Sequence, residues 1–247
     1  MIKTPQQIEK IRQSAKVNIA VLDEVEKRIC EGMPLGEIDR IVREMTAKLG
    51  GIPAPLNYKG YPYSVCTSVN DQVCHGYPLD DRILHSGDIV NVDCSTILDG
   101  YFSDSSRMFC IGDVSDENRK LVNVTRECVK FGLKEVRPYA CLGDIAQAIN
   151  DHAKKNGYSV VEEIGGHGVG LEFHEDPWVG YTIPRGTGTV LVPGMIFTIE
   201  PMVNMGGAAV CGCIENDWEI YTEDGMPTAQ WELMVLVTDN GYEVLSW

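Results

Sequence analysis

The chain is 247 residues long, 44% hydrophobic and 23% charged, which suits a globular protein with a substantial core and excludes one disordered over most of its length. Its 21 Lys and Arg against 36 Asp and Glu leave a net charge of −15, which weighs against nucleic-acid binding through phosphate contacts. No apolar run approaches the roughly 18–20 residues of a membrane span, and Met1-Ile2-Lys3-Thr4 leads straight into an amphipathic pattern, so neither a membrane partner nor a secretory signal is expected. Thr4-Pro5-Gln6-Gln7 reads as a capping box with Pro at the first helical position. Ile8, Ile11, Ala15, Ile19, Leu22, Val25 and Ile29 then follow at helical spacing, up to Gly32-Met33-Pro34. Ile38, Ile41, Val42 and Met45 predict a second helix that stops at Gly50-Gly51. Strands are predicted over Ile89–Asp93 and Tyr101–Cys110, with Asp99-Gly100 as the turn between them. Asp116 is placed as the cap of a third helix carrying Leu121, Val124, Cys128 and Phe131. Ile145, Ile149 and Ala153 mark a fourth, ending at Gly157, and strands follow over Met195–Glu200 and Leu233–Val237.

Two stretches match at one offset. Leu35-Gly36-Glu37-Ile38 returns 107 residues on as Leu142-Gly143-Asp144-Ile145, and Gly50 returns as Gly157. Leu84, Gly87, Ile89, Val92 and Asp93 return as Leu191, Gly194, Ile196, Ile199 and Glu200, again 107 on. Three matches at one offset predict a duplicated lobe. The expectation is an α/β chain forming one catalytic domain over 1–247, with ααββ-like halves of about 1–112 and 113–247. Paired helices, and the lack of GxGxxG or GxxxxGK[ST], argue against dinucleotide-binding and P-loop folds. Nine irregularly spaced cysteines predict reduced thiols in a cytoplasmic protein.

Four acids stand where strands are apolar. The Asp99-Gly100 turn sets Asp93 opposite Ser106 and puts Asp104 two positions nearer the turn on the same face, close enough to share a cation. Glu200 lies between Ile199 and Pro201, in the place that Asp93 holds in the first half. Glu232 enters the strand Leu233-Met234-Val235. Buried acids need partners. Of five histidines, His85 and His152 look incidental, whereas His75, His167 and His174 lie beside Gly-rich backbone. If His167 and His174 shared a regular strand, seven residues apart, they would face opposite sides, one binding metal and the other facing a different part of a cleft. One imidazole and four carboxylates form an oxygen-rich site unlike structural zinc. It suits two divalent ions about 3.5–4 Å apart, bridged by carboxylates and a water that becomes a hydroxide nucleophile. That chemistry is hydrolysis.

The segments Val73–Pro78, Asn91–Asp104, Gly166–Glu175, Thr198–Met202 and Ala229–Glu232 closely resemble those of the type I methionine aminopeptidases. The resemblance runs from the first helix to Val237. It implies the pita-bread fold, two pseudo-symmetric halves around a curved, mostly antiparallel sheet, and removal of N-terminal methionine ahead of a small second residue. It implies Asp93, Asp104, His167, Glu200 and Glu232 as ligands of two Co, Mn or Fe-type ions, with Asp104 and Glu232 bridging. Glu200 would also move the proton of the attacking water, His75 would face the scissile amide, and His174 would steady the oxyanion. The methionine slot would be made by Tyr58, Tyr61, Cys66, Phe173 and Trp218.

Two positions depart from the pattern. Pro55 stands where many bacterial members have a pocket cysteine. Leu233 follows Glu232 where they usually have His, so a supporting hydrogen bond is expected to be missing. The lack of an N-terminal extension or a large insertion argues against the type II class. Rival readings are a proline-specific peptidase of the same fold, which usually carries a separate N-terminal domain, and an inactive binding protein, which would have lost metal ligands. The expected substrate is a peptide or protein N-terminus, bound by a monomer. Met202–Trp231 contains no Lys or Arg but has Glu215, Asp217, Glu219, Glu223 and Asp224, an acidic stretch that disfavours docking on ribosomal RNA.

Overall fold

In the computed structural model, which describes residues 1–247, the capping box forms at the start of α1 (Pro5–Arg28). Thr4 Oγ1 accepts from the Gln7 backbone N–H at 3.3 Å and Gln7 Oε1 accepts from that of Thr4 at 2.8 Å. The helix ends at Arg28, before the Gly32-Met33-Pro34 break. α2 (Leu35–Lys48) stops just before Gly50, whose φ of +81° no helix can continue. α3 (Asp116–Lys134) is capped by Ser115 rather than Asp116: Ser115 Oγ accepts from Asn118 N–H at 3.2 Å. Asp116 and Glu117 instead occupy the first turn, where their negative charge is favourable at the positive end of the helix dipole. Phe131 departs from the predicted apolar face and lies exposed, stacked on His152. α4 (Leu142–Lys155) completes the helices.

The strands are β1 (Ile52–Pro53), β2 (Cys66–Val69), β3 (Gln72–Cys74), β4 (Ile89–Leu98), β5 (Tyr101–Cys110), β6 (Ser159–Val160), β7 (Gly166–Gly168), β8 (Glu175–Val179), β9 (Ile196–Ile199), β10 (Met202–Asn204), β11 (Val210–Gly212), β12 (Ile220–Thr222), β13 (Thr228–Gln230), β14 (Leu233–Thr238) and β15 (Gly241–Ser246). Every pairing is antiparallel, and hydrogen bonding divides the curved β layer into four sheets. β1-β4-β2, with β5 on β4, forms one, and β15-β14-β9-β7-β8 another. A bridge between Ser106 and Glu232 joins these two.

The 107-residue offset recurs in the backbone. Bridge Pro34–Ile83 is matched by Cys141–Val190. The bonds from Leu35 N–H to Arg82 and from Leu84 N–H to Met33 are matched by those from Leu142 to Thr189 and from Leu191 to Ala140. At the matched corner Gly32 (φ +82°) is replaced by Tyr139 (φ +67°), a non-glycine residue held in left-handed backbone. The largest apolar cluster lies beneath α3 and α4, around Leu121, Cys128, Ile149 and Phe197. A second lies beneath α1 and α2, around Leu22, Ile38, Val90 and Val92.

Strand alternation then assigns the two faces of the β4–β5 hairpin. Ser103, Ser105 and Thr96 turn toward α1: Ser14 Oγ lies 2.9 Å from Ser103 Oγ, and Asn18 bonds Ser105 Oγ at 2.9 Å and Thr96 Oγ1 at 2.9 Å. Asp93, Ser95 and Asp104 line a cleft on the other face. No helix is long and apolar enough to cross a membrane.

Candidate metal centre and cleft

Five elements converge on the floor of a cleft of about 860 Å³. The Asp99-Gly100 turn gives the register read from the sequence, with Asp93 opposite Ser106 and Ser95 opposite Asp104. Glu200 directly follows β9 and Glu232 directly precedes β14. Leu233 pairs with Ile199, so the two acids form the next rung outward. The Ser106–Glu232 bridge draws that rung against β5, beside Asp93 and Asp104. His167 enters from β7, whose backbone N–H donates to Thr198 Oγ1 at 3.0 Å. Its Nδ1 lies 3.0 Å from Gly168 O and, as the N–H donor there, leaves the Nε2 lone pair facing Asp104 Oδ2 and Glu200 Oε1, each at 3.6 Å.

Residues of other types hold the acids in place. Ser95 Oγ donates to Asp104 Oδ1 at 2.8 Å, Thr198 Oγ1 to Glu200 Oε1 at 2.7 Å, and Gln230 Nε2 to Glu200 Oε2 at 3.1 Å. The sequence reading did not single these three out. Their only signal is a period-two relation to the acids: Ser95 is two residues from Asp93, Thr198 two from Glu200, and Gln230 two from Glu232. Leu233 points into the large apolar cluster behind Glu232.

The electrostatics of this floor call for a cation. Burial pushes the carboxyls of Asp93, Asp104, Glu200 and Glu232 above the ordinary range, and in Asp104 and Glu232 repulsion from neighbouring acids adds to it. Asp93 Oδ1 is buried with no hydrogen-bond partner. Donor atoms of Asp104, His167 and Glu232 lie within 4.8 Å of one another. An orphaned carboxylate oxygen among four crowded acids and an aimed imidazole lone pair fits a divalent-cation site.

His75, His167 and His174 all line the cleft. The condition under which His167 and His174 would face different ways is not met: the pairing is irregular at His167-Gly168 and no regular strand joins the two residues. β7 stops at Gly168, Gly170 takes φ +134°, and the returning chain brings the two ring centroids to 4.1 Å. Burial lowers the pKa of His167 to about 4 and that of His174 to about 3, so both rings are neutral at neutral pH. His174 Nδ1 lies 3.0 Å from Tyr58 Oη. The loop bearing it is tied down by Glu175, which pairs with the buried Lys3 ammonium at 2.9 Å. His75 sits in strained backbone, φ +58°.

Tyr58, Tyr61, Cys66, Phe173 and Trp218 line the same cleft, as does Pro55. Tyr58 and Phe173 meet edge-on at 4.9 Å, and Tyr61 and Trp218 at 5.2 Å. Of the acids read as a surface stretch, Glu215, Asp217, Glu223 and Asp224 are exposed. Glu219 is not: it is 1% exposed and paired with Arg82.

Residues 9–239 match the sequence profile of Metallopeptidase family M24. A methionine aminopeptidase of Chlamydia trachomatis is 44% identical over 251 residues, spanning 100% of this chain and 84% of the relative. One from Escherichia coli is 42% identical over 246 residues, 99% of this chain and 93% of the relative. The crystal structure of methionine aminopeptidase from Rickettsia prowazekii superposes with a TM-score of 0.98 at 39% identity, covering 100% of this chain and 99% of that one.

Proposed function

The chain belongs to metallopeptidase family M24, and from that premise we propose that it is a methionyl aminopeptidase, removing N-terminal methionine from polypeptides whose second residue is small. The observation that carries the reading is the floor of the cleft: three buried acids, the half-buried Asp93 and one aimed imidazole, walled by aromatic rings and a thiol. Asp93, Asp104, His167, Glu200 and Glu232 would hold two divalent ions, with Asp104 and Glu232 shared between them. Bound there, such ions supply Lewis acidity and make an attacking water acidic enough to serve as nucleophile near neutral pH.

The chain's own groups do the rest. Glu200, fixed by Thr198 and Gln230, accepts a proton from the attacking water and returns it to the leaving amine. His75 faces the scissile amide. His174, kept neutral by burial and oriented by Tyr58, donates to the oxygen that gains charge. Tyr58, Tyr61, Cys66, Phe173 and Trp218 hold the methionine side chain, a thioether suited to aromatic walls. A free α-amine of the substrate would bind at the metal centre these residues hold, which would restrict cleavage to the first residue. We read the chain as one catalytic domain of two related halves, acting as a monomer in the cytoplasm.

Release of methionine from Met-Ala-Ser, measured with metal content, is the test. Turnover that needs about two ions per chain is expected. A fully loaded enzyme that leaves Met-Ala-Ser intact but cleaves Xaa-Pro peptides would replace this reading with a proline-specific one.

A further inference from the structure

The Glu219 carboxylate sits at the centre of a clamp behind the cleft wall. Oε1 accepts from Gln72 Nε2 at 3.0 Å, from Tyr77 N–H at 3.0 Å and from Arg82 Nη1. Oε2 accepts from Asn216 Nδ2 at 2.9 Å and from Arg82 Nη2 at 3.3 Å. Burial by itself would push this acid up. The hydrogen bonds from Arg82, Tyr77 and Asn216 outweigh it and hold the group below its usual value, so it is charged.

What the clamp grips connects it to the site. Gln72 lies three residues before His75 and Tyr77 two residues after it, so Glu219 holds the chain on both sides of that strained turn. A left-handed non-glycine residue persists only where its surroundings over-determine it. On the other side Asn216 Oδ1 accepts from the backbone N–H of Trp218 at 3.0 Å and of Glu219 at 2.9 Å, and Cys213 N–H donates to Glu219 O at 2.8 Å. These bonds close the 213–219 loop and hold the Trp218 indole edge-on to His75, with centroids 5.8 Å apart.

We propose that Glu219 is a positioning residue, whose ion pair with Arg82 fixes His75 and Trp218 relative to each other across the cleft wall. The inference rests on the reading above that these two groups face the substrate. It makes Glu219 part of the enzyme's machinery although it touches neither substrate nor the metal-site residues.

The test is a double-mutant cycle on Met-Ala-Ser at matched metal content, with Glu219→Gln, Arg82→Met and His75→Asn (Asn tolerates the positive φ). Whichever way its amide turns, Glu219→Gln sets amide hydrogens against donors, those of Asn216 and Arg82 at one oxygen or those of Gln72, Tyr77 and Arg82 at the other, and kcat should fall about 10- to 100-fold, as expected of sub-ångström misplacement. In the His75→Asn background the same change should cost kcat less than about threefold, because the group it positions is gone. Arg82→Met should give a smaller loss in the same direction, and decides the matter if Glu219→Gln does not fold. As a readout apart from activity, the indole N–H resonance of Trp218 should shift in either variant. Full multiplicative losses in the His75→Asn background with an unmoved Trp218 resonance would overturn the proposal, as would wild-type kinetics in Glu219→Gln. A wild-type enzyme that released no methionine would sink the aminopeptidase reading instead. The Trp218 resonance would then still decide whether the clamp exists.

Discussion

At the scale of single residues, the acids on the cleft floor differ from ordinary surface carboxylates because their repulsion is unrelieved within the protein. Asp104 and Glu232 are 4% and 1% exposed, and no Lys or Arg pairs with either. Replacing either by its amide removes a negative ligand without changing shape. Asp104→Asn and Glu232→Gln should each abolish release of methionine and lower metal retention, measured by elemental analysis after gel filtration. Normal turnover by a fully loaded variant would refute the two-ion reading. His75 sits on the wall, where its contact matters most as charge develops, so His75→Asn should lower kcat by about 10²–10³ with little change in KM. A raised KM with unchanged kcat would make it a binding residue. The sequence made these groups legible because an acid between Ile and Pro, or ahead of Leu-Met-Val, has no bland explanation in a core. Glu219 carries the same signature, between Trp218 and Ile220, but the acidic stretch around it, exposed at Glu215, Asp217, Glu223 and Asp224, hides it. Its partner Arg82 lies 137 residues away, and no local pattern announces it.

Elements position the site through registry. One two-residue turn at Asp99-Gly100 decides that Asp93 and Asp104 share a face, and alternation decides that α1 takes the other. The related helices α2 and α4 begin with equivalent glycines whose surroundings differ. A methyl group at Gly143 would strike the backbone carbonyl of Pro184, whereas at Gly36 it would strike the side chain of Asp80. Asp80 is exposed and held only by a surface pair with Arg40, so it can swing away at little cost. Gly143→Ala should destabilise by about 1–3 kcal/mol, the cost of an overpacked contact. Gly36→Ala should be near neutral, the overlap relieved and helix propensity improved by about 0.5–1 kcal/mol. Thermal melts of the two variants test this, and equal losses would show that the Asp80 turn is as rigid as the Pro184 one.

For the whole molecule, the shifted groups predict how stability depends on pH. The carboxyls of Asp93 and Glu200 rise to about 7 and about 8 in the folded metal-free protein. A group raised on folding gives stability that is present below its unfolded value and lost as pH rises through its folded value. The histidines His167 and His174 are lowered on folding, so their contribution is intact above about 6.5 and lost only as pH falls. Between about pH 6.5 and 8.5 the acids act alone, and the metal-free protein should melt at progressively lower temperature. Added divalent ion should raise the melting temperature and flatten that slope, because the cation takes over the role of the protons. A metal-free melting curve that is flat or rising across this window would show that the acids are not crowded as described.

The sequence by itself determined the parts that depend on local pattern. The capping box, the ends of α2 and α4, the β4–β5 register and the acids set among apolar strand residues follow from spacing, turn chemistry and the cost of burying charge, although β4 runs on to Leu98 past Asp93, where the pattern predicts its end. The duplicated lobe was legible because the offset of 107 falls on turns and bridges that recur in the backbone. Only the tertiary structure decided what these pieces meet. It brought His167 and His174 ring to ring, where a regular strand would have separated them, because the chain doubles back at Gly170. It took Glu219 out of an acidic surface and set it against Arg82 behind His75. Both outcomes depend on long-range contacts whose energy appears only once the sheets have closed around the cleft, so no local stretch of sequence specifies them.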